Sequence, residues 1–254
     1  LAQHAYQVGV HALVLIGFLA KRFPHLAATY QNLVDWDASP QPYLAPGLHP
    51  FYIEDHHQDD LSTLNLFLQQ YPCTAIGEIG LDYFEKRHKD QLIQQQQKYI
   101  FSEQLALANA HNKPVLLHIR KAHGDVLHIL KQHKFKLGGI AHAFSGGVEE
   151  AKAFIKLGFK IGITGQITNP NAKRLHQVVR EVGMEHLVLE TDCPDMTPLC
   201  CQFSHQQRTR NTPVNLPYVL KGLAQSLQVD EAKLADILWK NSLTVLGVTH
   251  DFAS

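Results

Sequence analysis

Five polar residues stand at the ends of short apolar runs: His49 in G-L-H-P, Glu78 in G-E-I-G, His118 in L-L-H-I-R, His142 in I-A-H-A-F and Asp192 in E-T-D-C-P. Each alone has an ordinary use. A histidine ending a strand is often a hydrogen-bonded structural residue, Asp192 could cap the loop after it, and Glu78 could cap a helix or pair with an arginine. Together they are harder to dismiss. Imidazoles and carboxylates gathered in one apolar cup repel or go unsatisfied unless a cation sits among them, because burying an unpaired carboxylate costs on the order of several kcal/mol. A mixed nitrogen and oxygen set of Glu78, His118, His142 and Asp192 suits divalent zinc, manganese or magnesium better than a thiolate-bound ion. Such a centre would lower the pKa of a bound water and clamp an anionic oxygen, with Asp192 placed to hold and deprotonate that water. No Ser or Cys sits in an elbow motif beside these histidines, so a side-chain nucleophile has little support. Cys193 reads as a small packing residue.

Two features suggest that the anion is a phosphate. The segment F-S-G-G-V-E-E-A, from Phe144 to Ala151, follows His142 and opens a helix, so that Ser145 and Gly146 leave backbone N–H groups beside the cup. Arg120 stands two residues beyond His118, where a guanidinium could reach a phosphate oxygen. Both have a plainer reading. Ser-Gly-Gly is also a common loop, and Arg120 could instead pair with Glu78 or Asp125.

The elements that must carry these residues are legible in the periodicity. A helix end over residues 1–8 is followed by apolar runs at 11–16, 43–48, 73–79, 114–119, 139–143, 159–164 and 187–191, with helical patterns between them. The third run is expected to stop near Gly77, and the first to be buried. Short continuous apolar strands separated by helices predict a parallel sheet covered on both faces. A (β/α)8 TIM-type barrel of one domain over 1–254 fits best, with polar residues at the carboxyl ends of its strands facing one mouth. Eight strands are wanted and the chain opens on a helix, so a first strand is expected to lie before residue 1. An open doubly wound sheet is the other option, but no G-x-G-x-x-G follows a strand. Further predicted helices cover about 18–30, 60–70 and 91–110, the last with its glutamine run on the helix surface. A polar, proline-containing loop from Asp192 to Pro217 precedes two closing helices, at 216–227 and 231–246.

Bulk composition narrows the class. The chain has 254 residues, of which 45% are hydrophobic, enough for one sizeable core. Lys plus Arg and Asp plus Glu each number 23, so no global charge points to a polyanion and any phosphate binding must be local. The four cysteines show neither zinc-site pairing nor the density of a disulfide scaffold, which fits a reducing cytoplasm. No apolar run is long enough to span a bilayer, and no secretory signal is seen.

The motifs G-E-I-G-L-D at 77–82, P-V-L-L-H-I-R at 114–120, H-A-F-S-G at 142–146, I-G-I-T-G at 161–165, L-E-T-D-C-P at 189–194 and R-N-T-P at 210–213 resemble, in order, those of the TatD family of metal-dependent deoxyribonucleases. The resemblance runs over nearly the whole chain. It implies an amidohydrolase-type barrel, one or two divalent metals, and hydrolysis of DNA phosphodiesters, typically 3′ to 5′ on single strands. It also implies roles: Glu78 as bridging or binding metal, His118 and His142 as ligands, Asp192 as ligand and water activator. His49 would lie near the substrate phosphate rather than on the metal, and Arg210 would be a substrate contact. Most members carry an H-x-H pair on a first strand that this sequence does not show, and some lack it. Two other readings remain at this stage. One is the same centre cleaving a small ester, amide or lactone, and the other is a metal-binding or partner-binding module without turnover.

Overall fold

A computed structural model describes residues 1–204 and 209–249. Along the chain run α1 (Ala2–Gln7), β1 (Ala12–Ile16), α2 (Phe23–Val34), β2 (Gln41–Ala45), α3 (Asp60–Gln70), β3 (Ile76–Asp82), α4 (Gln91–His111), β4 (Val115–Arg120) and α5 (His123–Gln132). There follow β5 (Gly139–Ala141), α6 (Val148–Lys156), β6 (Phe159–Ile163), α7 (Lys173–Val182), β7 (Leu187–Leu189), α8 (Leu216–Leu227) and α9 (Glu231–Leu246). Each expected apolar run is a strand, and every strand pairing recorded is parallel. Residues 205–208 of the long loop lie outside the described residues.

The residues group into two compact units. One comprises 12–37 and 41–142, and the other comprises 1–11, 38–40 and 143–254. In the first of these β1 pairs with β2, and β3, β4 and β5 lie side by side. A bridge from Leu44 to Cys73 and a hydrogen bond from Gly77 N–H to the Pro46 carbonyl (3.0 Å) carry β2 on to the β3 segment. The core here is Leu44, Ile76, Ile79, Leu81, Val115 and Leu117, all inaccessible to solvent, with Phe101 and Leu105 of α4 laid over them. In the other unit β6 pairs with β7, and Ile161, Ile163 and Leu187 are buried with Val178, Val219 and Leu234 from the helices.

Three expectations need correcting. β3 does not stop at Gly77. It runs on to Asp82, with a register irregularity between Gly77 and Ile79, so Glu78 projects from inside a strand that is buried throughout. Gly80 permits this: at φ +139° a Cβ would run into the His118 carbonyl, so only glycine lets β3 and β4 approach there. β1, expected to be buried, is only half-buried along its length, because β2 is its sole strand partner among the described residues.

The glutamines of α4 are also not all surface. Gln95 and Gln96 are exposed, but Gln97 and, seven residues on, Gln104 face inward on the same side of the helix and are buried. Gln104 accepts from Leu48 N–H (2.7 Å) and donates to the Leu48 carbonyl (3.1 Å). Gln97 accepts from Asp82 N–H (2.9 Å) and donates to the carbonyls of Asp82 (3.0 Å) and Pro50 (3.2 Å). These amides complete backbone groups that no strand reaches, and unpaired buried backbone groups are costly.

Candidate active site

Four of the expected site residues meet in the unit of residues 12–37 and 41–142. Glu78 is carried by β3 and His118 by β4, while His49 follows β2 and His142 directly follows β5. Glu78 is buried, and one of its oxygens, Oε1, is the meeting point. His118 Nδ1 lies 2.9 Å from it, His49 Nε2 3.5 Å and His142 Nε2 3.8 Å. Burial alone would raise the Glu78 carboxyl, but the imidazoles of His142, His49 and His118 outweigh it and hold it well below the usual carboxylate range. Glu78 is therefore an anion wrapped by ring nitrogens, as its apolar surroundings required.

The ring nitrogens are not equivalent. His49 Nδ1 accepts a hydrogen bond from Phe51 N–H (3.0 Å), so in the neutral ring the proton sits on Nε2 and points toward Glu78. Burial, then the neighbouring His118, lowers the His49 pKa, which keeps the ring neutral. His49 thus offers an N–H rather than a lone pair.

His118 has carboxylates at both nitrogens, Glu78 at Nδ1 and Asp82 Oδ2 at Nε2, each at 2.9 Å. Burial would lower its pKa, but the hydrogen bonds to Asp82 and Glu78 override it and lift the imidazole to about 9. Asp82, conversely, is held at about 2 despite its burial, by His118 first and then by Phe84 N–H and His88. His49, Glu78 and His118 each present a nitrogen or oxygen within 4.8 Å of one another. An anionic Glu78 oxygen with imidazole nitrogens gathered around it is a donor set that a hard or borderline divalent cation fits.

The remaining candidates have other surroundings. Arg120 pairs with neither Glu78 nor Asp125: its guanidinium lies 3.6 Å over the Phe84 ring and 4.0 Å from Glu85. Asp125 is instead held by Lys98 (2.7 Å) and the Tyr83 hydroxyl (3.0 Å). In the other unit Ser145 is exposed and Gly146 buried just before α6, and the Gly147 N–H at the mouth of that helix donates to the Glu150 carboxylate (2.7 Å). The expected row of open N–H groups is thus partly filled by the chain's own acid. Asp192 is half-buried, in the left-handed region at φ +55°, and its carbonyl accepts from Asp195 N–H (2.8 Å). Arg210 is exposed; next to it, the buried Asn211 donates to the Thr191 carbonyl (2.8 Å) and, through its backbone, to that of Pro194 (2.9 Å). The R-N-T-P motif is therefore the clasp of the loop that carries Asp192.

Sequence reasoning missed Asp82, Gln97 and Asn211. Asp82 ends the quoted G-E-I-G-L-D motif, and a signal was available: an acid closing an otherwise apolar strand needs a partner as much as Glu78 does.

This architecture has known counterparts. A family model described as TatD related DNase matches residues 1–247. The uncharacterized metal-dependent hydrolase YjjV of Escherichia coli is 34% identical over 249 residues, covering 97% of this chain and 90% of the relative. A 3'-5' ssDNA/RNA exonuclease TatD of Pantoea ananatis is 34% identical over 225 residues, or 87% of this chain and 82% of that protein. Among solved structures, E. coli YjjV superposes with a TM-score of 0.85 at 32% identity, over 98% of this chain and 91% of that one. A TatD family hydrolase from Entamoeba histolytica shares the fold, with a TM-score of 0.79 at 22% identity over 96% and 87%. The α/β fold of parallel strands expected from the sequence is that of these proteins. With the buried Glu78 and its imidazoles in place, the chain belongs to the TatD related DNase family and is a metal-dependent hydrolase.

Proposed function

We propose that this chain hydrolyses phosphodiester bonds in DNA, trimming single strands from the 3′ end by a water activated at a divalent metal centre. The observation that carries the reading is the convergence of His118 Nδ1, His49 Nε2 and His142 Nε2 on one buried carboxylate oxygen of Glu78. Relatives named as exonucleases of single-stranded DNA and RNA supply the substrate class. A bound divalent cation, one or two of Mg, Mn or Zn, would supply Lewis acidity toward a phosphoryl oxygen and a more acidic water. Glu78, His118 and His142 hold it in this reading. His49 directs its Nε2 proton toward Glu78 and the phosphate, and Arg120, steadied by the Phe84 ring, takes a second phosphate oxygen. Asp192 is assigned as ligand and base on its L-E-T-D-C-P motif, and Ser145, Gly146 and Arg210 as substrate contacts on theirs. We treat residues 1–254 as one hydrolase domain. Four free cysteines agree with a cytoplasmic protein, and among the described residues no helix is long and apolar enough to cross a membrane.

The test is stepwise shortening of 5′-labelled single-stranded DNA with added magnesium or manganese. Glu78→Gln and Asp192→Asn should each fold, melt cooperatively and lose turnover by orders of magnitude, and chelator should abolish activity in the unaltered protein. Metal-dependent cleavage of carboxylic esters with DNA left intact would overturn the substrate. Full activity of Glu78→Gln would overturn the mechanism.

A further inference from the structure

His118 is approached from its far side by a carboxylate to which the metal-centre reading gives no task. Asp82 Oδ2 sits 2.9 Å from His118 Nε2, while Nδ1 of the same ring faces Glu78 Oε1 at 2.9 Å. The geometry points to Asp82 as a positioning residue that accepts the Nε2 proton of His118 and so leaves the Nδ1 lone pair as the one directed to the metal. This rests on the metal-centre reading and adds to it the nitrogen used and the residue that selects it.

Three observations carry the assignment. First, Nδ1 shares its direction with the other candidate ligand atoms: it lies against the Glu78 oxygen that His142 Nε2 also approaches at 3.8 Å. Second, Asp82 is wholly inaccessible, whereas the His118 and His142 side chains are 19% and 16% exposed, so substrate and water reach the rings but not Asp82. Third, Asp82 cannot swing away. Its Oδ1 accepts from Phe84 N–H (2.9 Å) and lies 3.5 Å from His88 Nδ1, and its backbone N–H and carbonyl are both held by Gln97. The opposite tautomer would set the Nε2 lone pair against this fixed carboxylate, which is repulsive. A histidine that binds a metal through one nitrogen usually gives its other N–H to such a partner, and losing the partner weakens metal binding about 10- to 100-fold.

The test uses the whole chain and zinc. Long-range proton–nitrogen spectra of the zinc-loaded protein, labelled with 15N-histidine, should show His118 protonated at Nε2 and shifted at Nδ1. Zinc carried on Nε2, or a His118 unaffected by zinc, would overturn the assignment while leaving metal binding intact. Failure of the unaltered protein to take up zinc would overturn both this inference and the reading beneath it. Calorimetric titration of Asp82→Asn gives a second, independent readout. Its amide can turn to donate to Nε2 as readily as accept, so zinc affinity should fall about 10- to 100-fold in a variant that still melts cooperatively. Affinity within twofold of the unaltered protein would overturn the assignment. Should Asp82→Asn not fold, the spectrum of the unaltered protein decides.

Discussion

Glu78 and Asp82 share one protonated ring, and that arrangement makes the metal-free protein sensitive to alkali. His118 has a folded pKa of about 9 against an ordinary value near 6.5, so its contribution is fully present below about pH 6.5 and is lost as pH rises through about 9. The carboxylates act in the opposite sense. Glu78 and Asp82 are held below their usual range, so their contribution is present above about pH 4.5 and is lost as acid protonates them, Asp82 at about 2. Thermal melts of chelated protein should therefore show a midpoint that falls between about pH 6.5 and 9. A midpoint that instead rises over the alkaline range would show that His118 is not the shared proton. At this scale the sequence revealed the residues by type but not by pairing. Glu78 announced itself as an acid among apolar neighbours, whereas Asp82 hid at the end of the same motif. Its partner, His118, is far along the chain, and no local pattern reports such a contact.

Strands and helices were the most legible level. Parallel strands covered on both faces are written as unbroken apolar runs, and β4, β5 and β6 lie within a residue or two of where those runs predicted them. The failures have specific causes. Gly77 and Glu78 look like a terminator locally, but β4 goes on supplying hydrogen bonds to β3 as far as Asp82. Gln97 looks like its exposed neighbours because a glutamine carries no mark of burial; what buries it is backbone at Pro50 and Asp82. The contrast is measurable by chemical denaturation. Gln97→Ala strands three backbone groups and should cost at least about 2 kcal/mol, since each buried unsatisfied group costs roughly 1–3 kcal/mol. Gln95→Ala and Gln96→Ala should stay within about 0.5 kcal/mol. Equal effects at all three positions would show that the Gln97 amide is not holding the site's backbone.

The molecule as a whole balances 23 basic against 23 acidic residues, so it has no net field with which to gather a polyanion. Its hold on DNA, in the reading proposed here, comes from a few placed groups. Single-strand binding measured with chelator should weaken only gently with salt, with a log–log slope of about −1.4 for the two phosphates assigned to Arg120 and Arg210. Arg120→Ala should flatten that slope by about 0.7. A slope steeper than about −3 would mean that a basic tract elsewhere does the binding. The amides of α4 also impose an order on biosynthesis. Leu48, Pro50 and Asp82 are all translated before Gln97 and Gln104, so their backbone groups stay hydrated on the ribosome until that helix has emerged. A nascent chain halted before residue 91 should leave the segments around Leu48, Pro50 and Asp82 open to protease, and the full-length chain should protect them.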